Sequence, residues 1–499
     1  MATPAPLHGH RGHGRVAQPI TDERNTPNTN QGSLSRGHLN LKSSFHHVDG
    51  RDLTGQRVLL LQSKTIGKKH AVLRQEQNEL ATRTGPGTAM GELFRSYWVP
   101  ALLAEELPED GCPPVRVKLL SERLLAWRDS TGRYGLMDEF CAHRGVSLWF
   151  GRNEEGGLRC PYHGWKYDVT GQCVEVPSEP AENGFCARIK LAAYPLVQVG
   201  DILWTYMGPP EQCPPLPEWE FARVPAAQTF TSKRVQECNW MQAMEGGIDS
   251  SHVSWLHRGA LNHDPLFKGA KGNQYNLRDA KPVFEVVEMP GGLYIGARRN
   301  AEDGRYYWRI TPWVMPSFTM VPPRGDHPVH GHFWIPIDDE NCWAWSFDYH
   351  PVRALTAQER QHMKDGHGIH VTYVPGTFRP AANKDNDYLI DRAAQKRGDT
   401  YSGVAGIAMQ DASLQESMGP IVDRTRENLV STDNGIIMAR HRLLRAARAL
   451  AEKGVLPPGR EAEHQRVRSA AVILPPDQPF GEAAAEALRV REGVAQSSV

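Results

Sequence analysis

The sequence predicts an α+β protein of two domains, a small β-sandwich followed by an antiparallel sheet with helices around it. Length is the first reason: 499 residues exceed what one ordinary core supports. Composition is the second, because 46 Gly and 37 Pro favour a loop-rich, β-containing chain over a helical bundle. The third is pattern: short strand-like runs bounded by turn residues recur in two blocks. Pro209-Pro210 and Cys213-Pro214-Pro215 separate them.

Taken in order, residues 1–71 are polar and aperiodic and carry six of the 21 His in their first 47 positions. They are expected to be a disordered extension. Ordered sequence is expected to begin near Leu73, and Val72 marks a possible alternative start, so that the preceding residues are expected to be untranslated in the cell. The aromatic and aliphatic run at 91–104 leads into strands expected at 115–120, 124–127 and 134–137, with Asp129 to Gly132 as a hairpin turn. This first domain, with its lead-in, is assigned to 72–215. The second, 216–460, has strands expected at 284–287, 293–297, 306–310, 332–335 and 342–347. Its last helix is capped by Ser431, Thr432 or Asp433, carries Ile436, Ile437, Leu443, Leu444, Ala447 and Leu450 on one stripe, and stops at Gly454. Residues 461–499 are expected to be a polar tail. No internal repeat is visible.

Charge excludes some functions. Fifty-seven basic residues balance fifty-seven acidic ones, so no net field gathers nucleic acid or an anionic membrane. No run of eighteen apolar residues and no signal-peptide core occurs, so the chain is expected to be soluble and cytoplasmic. Eight Cys in this length are too few for a disulfide scaffold, so a close Cys/His cluster is expected to bind metal.

Such a cluster is present. Cys141-Ala-His143 and Cys160-Pro-Tyr-His163 give C-x-H, sixteen residues, then C-x-x-H. Two thiolates on one iron and two imidazoles on the other hold a [2Fe-2S] cluster in the Rieske manner. A Cys2His2 zinc site is the competing assignment, although zinc ligands usually come as Cys-Cys and His-His pairs. The remaining cysteines, 112, 173, 186, 213, 238 and 342, show no pairing.

A second constellation runs from Asn239 to His257. It holds Glu245, Asp249, His252 and His257, and non-haem iron takes two His and one carboxylate with positions left open. If 239–252 is helical, Glu245, Asp249 and His252 share a face. His257 then lies about 140° away, and both His reach one ion only if the helix ends or bulges between them.

These motifs resemble the Rieske non-haem iron oxygenases, within them the phthalate dioxygenase-like terminal oxygenases. The likeness extends over residues 73 to 450 and includes the segment Gln410-Asp411-Ala-Ser-Leu-Gln415-Glu416-Ser417-Met418-Gly419-Pro420. It implies a helix-grip catalytic domain, a [2Fe-2S] Rieske cluster on Cys141, His143, Cys160 and His163, and mononuclear Fe(II) on His252, His257 and Asp411. A helix-cap role for Asp411, and Glu416 or Asp423 as ligand, remain open on the residues alone. The resemblance also implies that Asp249 bridges the two centres across a subunit interface in a head-to-tail homotrimer or stacked hexamer. Asp249 and Asn239 are the candidate catalytic residues.

No GxGxxG or other nicotinamide or flavin site is visible, so an NAD(P)H-dependent flavin/iron-sulfur reductase is the expected partner. The expected reaction uses O2 to convert a phthalate- or benzoate-like aromatic carboxylate to a cis-dihydrodiol. The alternatives are O-demethylation of the vanillate or methoxybenzoate kind and, from another class, a Rieske electron carrier without oxygenase activity. A carboxylate in an apolar pocket needs a cation, and Arg278, Arg298, Arg299 and Arg309 are the candidates. Arg309 comes first, because the strand around it places Tyr307, Arg309 and Thr311 on one face.

Overall fold

The computed structural model describes residues 49–51, 57–59 and 72–495. The expected extension therefore lies almost wholly outside the described residues, and Val72, the proposed start, is the first residue of the long described stretch. Asp49–Arg51 and Arg57–Leu59 are the exception, and they pair as two antiparallel strands.

The first domain is built from small antiparallel sheets. Val115–Leu119, Glu122–Arg128 and Tyr134–Asp138 form a meander joined at its edge by Ala193–Tyr194. Trp98–Leu103, Leu196–Val199 and Ile202–Tyr206 form a second sheet. The expected hairpin turn is present: Asp129 Oδ1 accepts from Thr131 N and Arg133 N, and Gly132 supplies φ +87°. A third, four-stranded sheet of short pieces carries the Cys/His loops.

The second domain is one antiparallel sheet. Its order is Thr229–Gln236, Cys342–Tyr349, Val329–Pro336, Phe318–Val321, Tyr306–Val314, Gly292–Asn300, Val283–Met289. Helices Trp240–Ile248 and Asn434–Lys453 pack on it. The latter ends at Gly454 with φ +64°, as its sequence predicts, and is entered through Asp433. Both domains share one core: Trp204 of the first meets Phe333 of the second, ring centroids 5.4 Å apart.

Two boundary expectations are corrected. The lead-in helices Gln75–Thr82 and Ala89–Arg95 pack on Asn434–Lys453 of the second domain, where Asn78 bonds to Val422 O and Arg424, while Arg95 ties the second helix to Leu120 O and Glu122 of the first. The supposed polar tail is also structured. Ala470–Leu474 pairs with residues 306–310 of the main sheet, and helix Phe480–Ala487 stacks Phe480 on Trp308 at 4.5 Å. Ala470, Phe480, Ala484 and Leu488 bury together against Trp308, and Ala471 buries on the opposite face against Tyr307, which repays the ordering of this segment. No described helix is long and apolar enough to cross a membrane.

Candidate metal centres and substrate cavity

The Cys/His loops are two copies of one device. Gly145 N donates to Cys141 O and Gly164 N to Cys160 O, and each Gly takes a positive φ, +70° and +77°, that other residues resist. This is why a Gly follows each motif. The loops bury both cysteines and leave both histidines exposed, with the two imidazole centroids 4.4 Å apart. His143 also stacks on Trp165 at 4.7 Å, and Tyr167 Oη lies 3.2 Å from Cys141 Sγ. The four ligand atoms do not converge within 4.8 Å, as one zinc ion would require. Paired cysteines inside and paired histidines outside fit a two-iron cluster instead.

The second centre answers the question the helix raised: Trp240–Ile248 ends before His252, which begins a 3-10 turn, so both His turn inward. His252 Nε2 and His257 Nε2 lie 3.2 Å apart, and Asp411 Oδ1 is 3.5 and 3.2 Å from them. Ligands about 2.1 Å from one first-row ion at adjacent octahedral positions stand roughly 3 Å apart, so the triangle fits. Asp411 arrives from the middle of helix Ile407–Ser417, not from its cap. The rival carboxylates are engaged elsewhere: Glu416 accepts from Tyr388 and Glu237 N, while Asp423 caps a 3-10 turn.

Two side chains behind the triad set its tautomers. Gln410 Oε1 is 2.9 Å from His257 Nδ1, and its own amide is fixed by donating to Val404 O. Asp249 Oδ2 is 3.3 Å from His252 Nδ1. Each Nδ1–H is thereby held, leaving both Nε2 free for an ion. Burial pushes the Asp249 carboxyl up, but His252 and the Ser251 N–H more than offset this and hold it below its ordinary value. Gly246 and Gly247 let the helix approach: a Cβ at Gly246 would stand 2.1 Å from Gln415 Nε2.

Residues 97–195 match the Rieske [2Fe-2S] domain family, and residues 205–491 match the family described as LigXa C-terminal domain like. The chain is 37% identical over 401 residues to the 3-chlorobenzoate-3,4-dioxygenase oxygenase subunit of Comamonas testosteroni, covering 77% of this chain and 91% of the relative. It is 36% identical to the phthalate 4,5-dioxygenase oxygenase subunit of Pseudomonas putida over 81% and 93%. The 5,5'-dehydrodivanillate O-demethylase oxygenase subunit of a Sphingobium species is 32% identical over 75% and 80%. Among solved structures, dicamba monooxygenase bound to dicamba shares the fold at TM-score 0.50, 18% identity, 72% of this chain and 99% of that chain.

The chain is a Rieske non-haem iron oxygenase. The stand-alone electron-carrier alternative falls with that. The cofactors of this oxygenase are a Rieske [2Fe-2S] cluster and mononuclear iron, and it uses O2.

A cavity opens on the triad. It is lined by Asp249, His252, His257 and Asp411, and by Arg234, Arg309, Arg324, His330, His332 and Trp334. The last three alternate along Val329–Pro336, one face of a strand. Arg309 is thus at the cavity and, among the described residues, donates to Ser250 Oγ at 3.2 Å. Arg278 and Arg298 are not: Arg278 is exposed and paired with Glu302, and Arg298 stacks over Tyr306. Arg299 is buried against Ser250 and Asp279 O, outside the lining. Asn239 is corrected as well. It caps its helix through Met241 N and donates to Thr82 O and Asp339 O, away from the cavity. A buried Asn at a helix start is a cap unless the site reaches it.

Sequence reasoning missed Arg234 and Arg324. Both are buried, and neither makes an ion pair among the described residues. Arg324 lies over Phe267 at 4.3 Å. Burial, with Arg309 nearby, lowers its guanidinium to about 9. Glu245, which carried no assigned role, lies between Arg424 and Arg440 behind the helix.

Proposed function

We propose that this chain is the terminal oxygenase component of a Rieske dioxygenase that takes electrons from a partner NAD(P)H-dependent flavin/iron-sulfur reductase and converts a phthalate- or benzoate-like carboxylate to a cis-dihydrodiol. The observation that carries the substrate class is the pair Arg309 and Arg324, buried on the triad cavity with no carboxylate partner among the described residues. A buried guanidinium without a counter-ion costs several kcal/mol, and an anionic substrate relieves that cost. Two such groups suit a dicarboxylate as well as a monocarboxylate. In this reading Cys141, His143, Cys160 and His163 hold the cluster, and His252, His257 and Asp411 hold the iron. Asp249 orients His252 and relays electrons from a neighbouring subunit of a homotrimer or stacked hexamer. The bound metals supply electron delivery and O2 activation. The chain's own groups place the ring: Arg309 and Arg324 fix the carboxyl end, and Trp334 and Val253 wall the rest. We place the protein in the cytoplasm, whose reducing conditions keep the ligand thiols available.

O-demethylation is the second reading, supported by the 32% identical demethylase subunit. A screen of phthalate, benzoates and methoxybenzoates with reductase, NADH and O2 separates the two by product, a dihydrodiol or a phenol with formaldehyde. Metal analysis tests the site: about three irons per chain are expected, two in the cluster and one at the triad. His252→Ala should lose the one and keep the two. Unchanged iron in that variant sinks the assignment.

A further inference from the structure

Three buried titratable groups beside the iron cavity have no part in ligation or substrate binding. We propose that His370, Asp348 and His330 form a proton path between the iron cavity and a second cavity open to solvent, a role that rests on the oxygenase reading.

The path follows from strand register. Asp348 pairs with Phe230 on one side and His330 on the other, so its side chain lies between two neighbours of the sheet. His370 Nε2 is 2.8 Å from Asp348 Oδ2, and its Nδ1 is 2.7 Å from Ser232 Oγ. On the opposite side, Asp348 Oδ1 is 4.0 Å from His330 Nδ1. His330 lines the iron cavity, whereas His370 and Ser232 line the other. That second cavity includes the exposed side chains of Glu105, Asp201 and Lys364 at its rim. All three members of the path are nearly fully buried, and Asp348 has no Lys or Arg partner among the described residues. A carboxyl buried with only imidazoles is costly unless it serves a purpose.

The chemistry calls for such a path. Converting an aromatic ring and O2 to a dihydrodiol takes up two electrons and two protons. The iron cavity is lined by Arg234, Arg309 and Arg324, whose charges repel a free hydronium ion. Protons therefore enter on neutral carriers. At rest the His330 proton is on Nδ1 against Pro328 O and its Nε2 accepts from Arg324, so the ring first turns over; the Asp348 carboxyl then passes its proton to the bare nitrogen while the opposite N–H gives its proton to the cavity. His370 Nε2–H then reprotonates Asp348, and His370 Nδ1 is reloaded through Ser232 from solvent. The 4.0 Å gap exceeds a hydrogen bond, so each transfer includes a rotation of the His330 ring or the carboxyl. Arg324 Nη1 donates to His330 Nε2 over 3.4 Å, and a substrate carboxylate that engages Arg324 frees this nitrogen. Delivery is thereby tied to substrate binding.

His370→Ala holoenzyme tests the path. Its iron content should match wild type, and calorimetry should show one more bound imidazole per chain than wild type, because the emptied position opens on the outer cavity. O2 consumption by the reduced enzyme with phthalate or benzoate should fall at least about 10-fold, and imidazole should restore most of it. Imidazole that binds without restoring the rate, no additional binding, or an undiminished rate overturns the proposal. Should His370→Ala lose iron, Ser232→Ala provides the same decision: a several-fold slower rate with a larger D2O effect supports the path, and a wild-type rate refutes it. If wild type oxidises neither acid, the functional reading fails separately. O2 consumption without an aromatic, with and without imidazole, then decides the path.

Discussion

Glu245 shows how a residue's type can mislead. In the sequence it stands four before Asp249 and seven before His252, the spacing of a shared helical face, which invites a place at the metal. The helix ends at Asp249, and Glu245 instead accepts from Arg424 and Arg440 behind the site, its carboxyl lowered to about 2 because the two guanidiniums outweigh burial. A folded value below the unfolded one, about 4.3, means that the stabilisation is fully present above that pH and is lost as pH falls toward 2. Denaturation of wild type should therefore weaken across that window, and Glu245→Gln should show a shallower slope there. At neutral pH the variant should lose about 3–5 kcal/mol, since two buried cations lose a partner, although Arg440 keeps Glu427. Asp249→Asn acts differently: metal content should stay at wild-type level while steady-state turnover falls about 10- to 100-fold, the usual cost of disturbing a group that orients a ligand. That His252 meets His257 and that the two Cys/His loops meet was legible because the proposed metal ligation would impose fixed residue types at short spacing. Asn239, Arg234 and Arg324 were not, because whether a buried polar residue caps, pairs or faces a cavity is decided by partners far away in the chain.

At the level of elements, strands with period-2 patterning and the long final helix were read correctly, but residues 461–499 were not. Ala470 to Leu474 is a five-residue apolar run, a length at which periodicity says nothing, and only its pairing with residues 306–310 gives it meaning. That pairing matters for the site. It braces the strand that carries Arg309, and Phe480 seals the outer face by stacking on Trp308 above Gly296, where a Cβ would meet Phe480 at 2.4 Å. Phe480→Ala should cost about 3–5 kcal/mol in chemical denaturation. It should also raise KM for the carboxylate substrate more than it lowers kcat, because Arg309 shifts while the triad, held by two helical segments and a turn, does not. Equal changes in both constants would mean that the segment supports the whole site and not the arginine strand.

In the whole molecule, the two redox centres have opposite exposures. His143 and His163 are on the surface, whereas the triad lies at a cavity they do not line. In the proposed head-to-tail ring the exposed His143 and His163 of one chain would meet Asp249 of the next, which lies behind His252 at its Nδ1. A head-to-tail ring makes every junction the same, with the cluster of one chain feeding the iron of the next. That arrangement predicts complementation between two dead chains. Cys141→Ser has no competent cluster and His252→Ala no competent iron, so neither homo-oligomer should turn over. Refolded together in equal amounts, a His252→Ala chain can serve as donor to a Cys141→Ser neighbour. Random mixing puts that order at about a quarter of junctions in a closed ring, so about a quarter of wild-type activity should return. Purified homo-oligomers mixed without exchange should stay inactive. Recovery near zero in the co-refolded sample, with both metals at their expected contents, would mean that electrons pass within one chain and that the interface assigned to Asp249 is wrong.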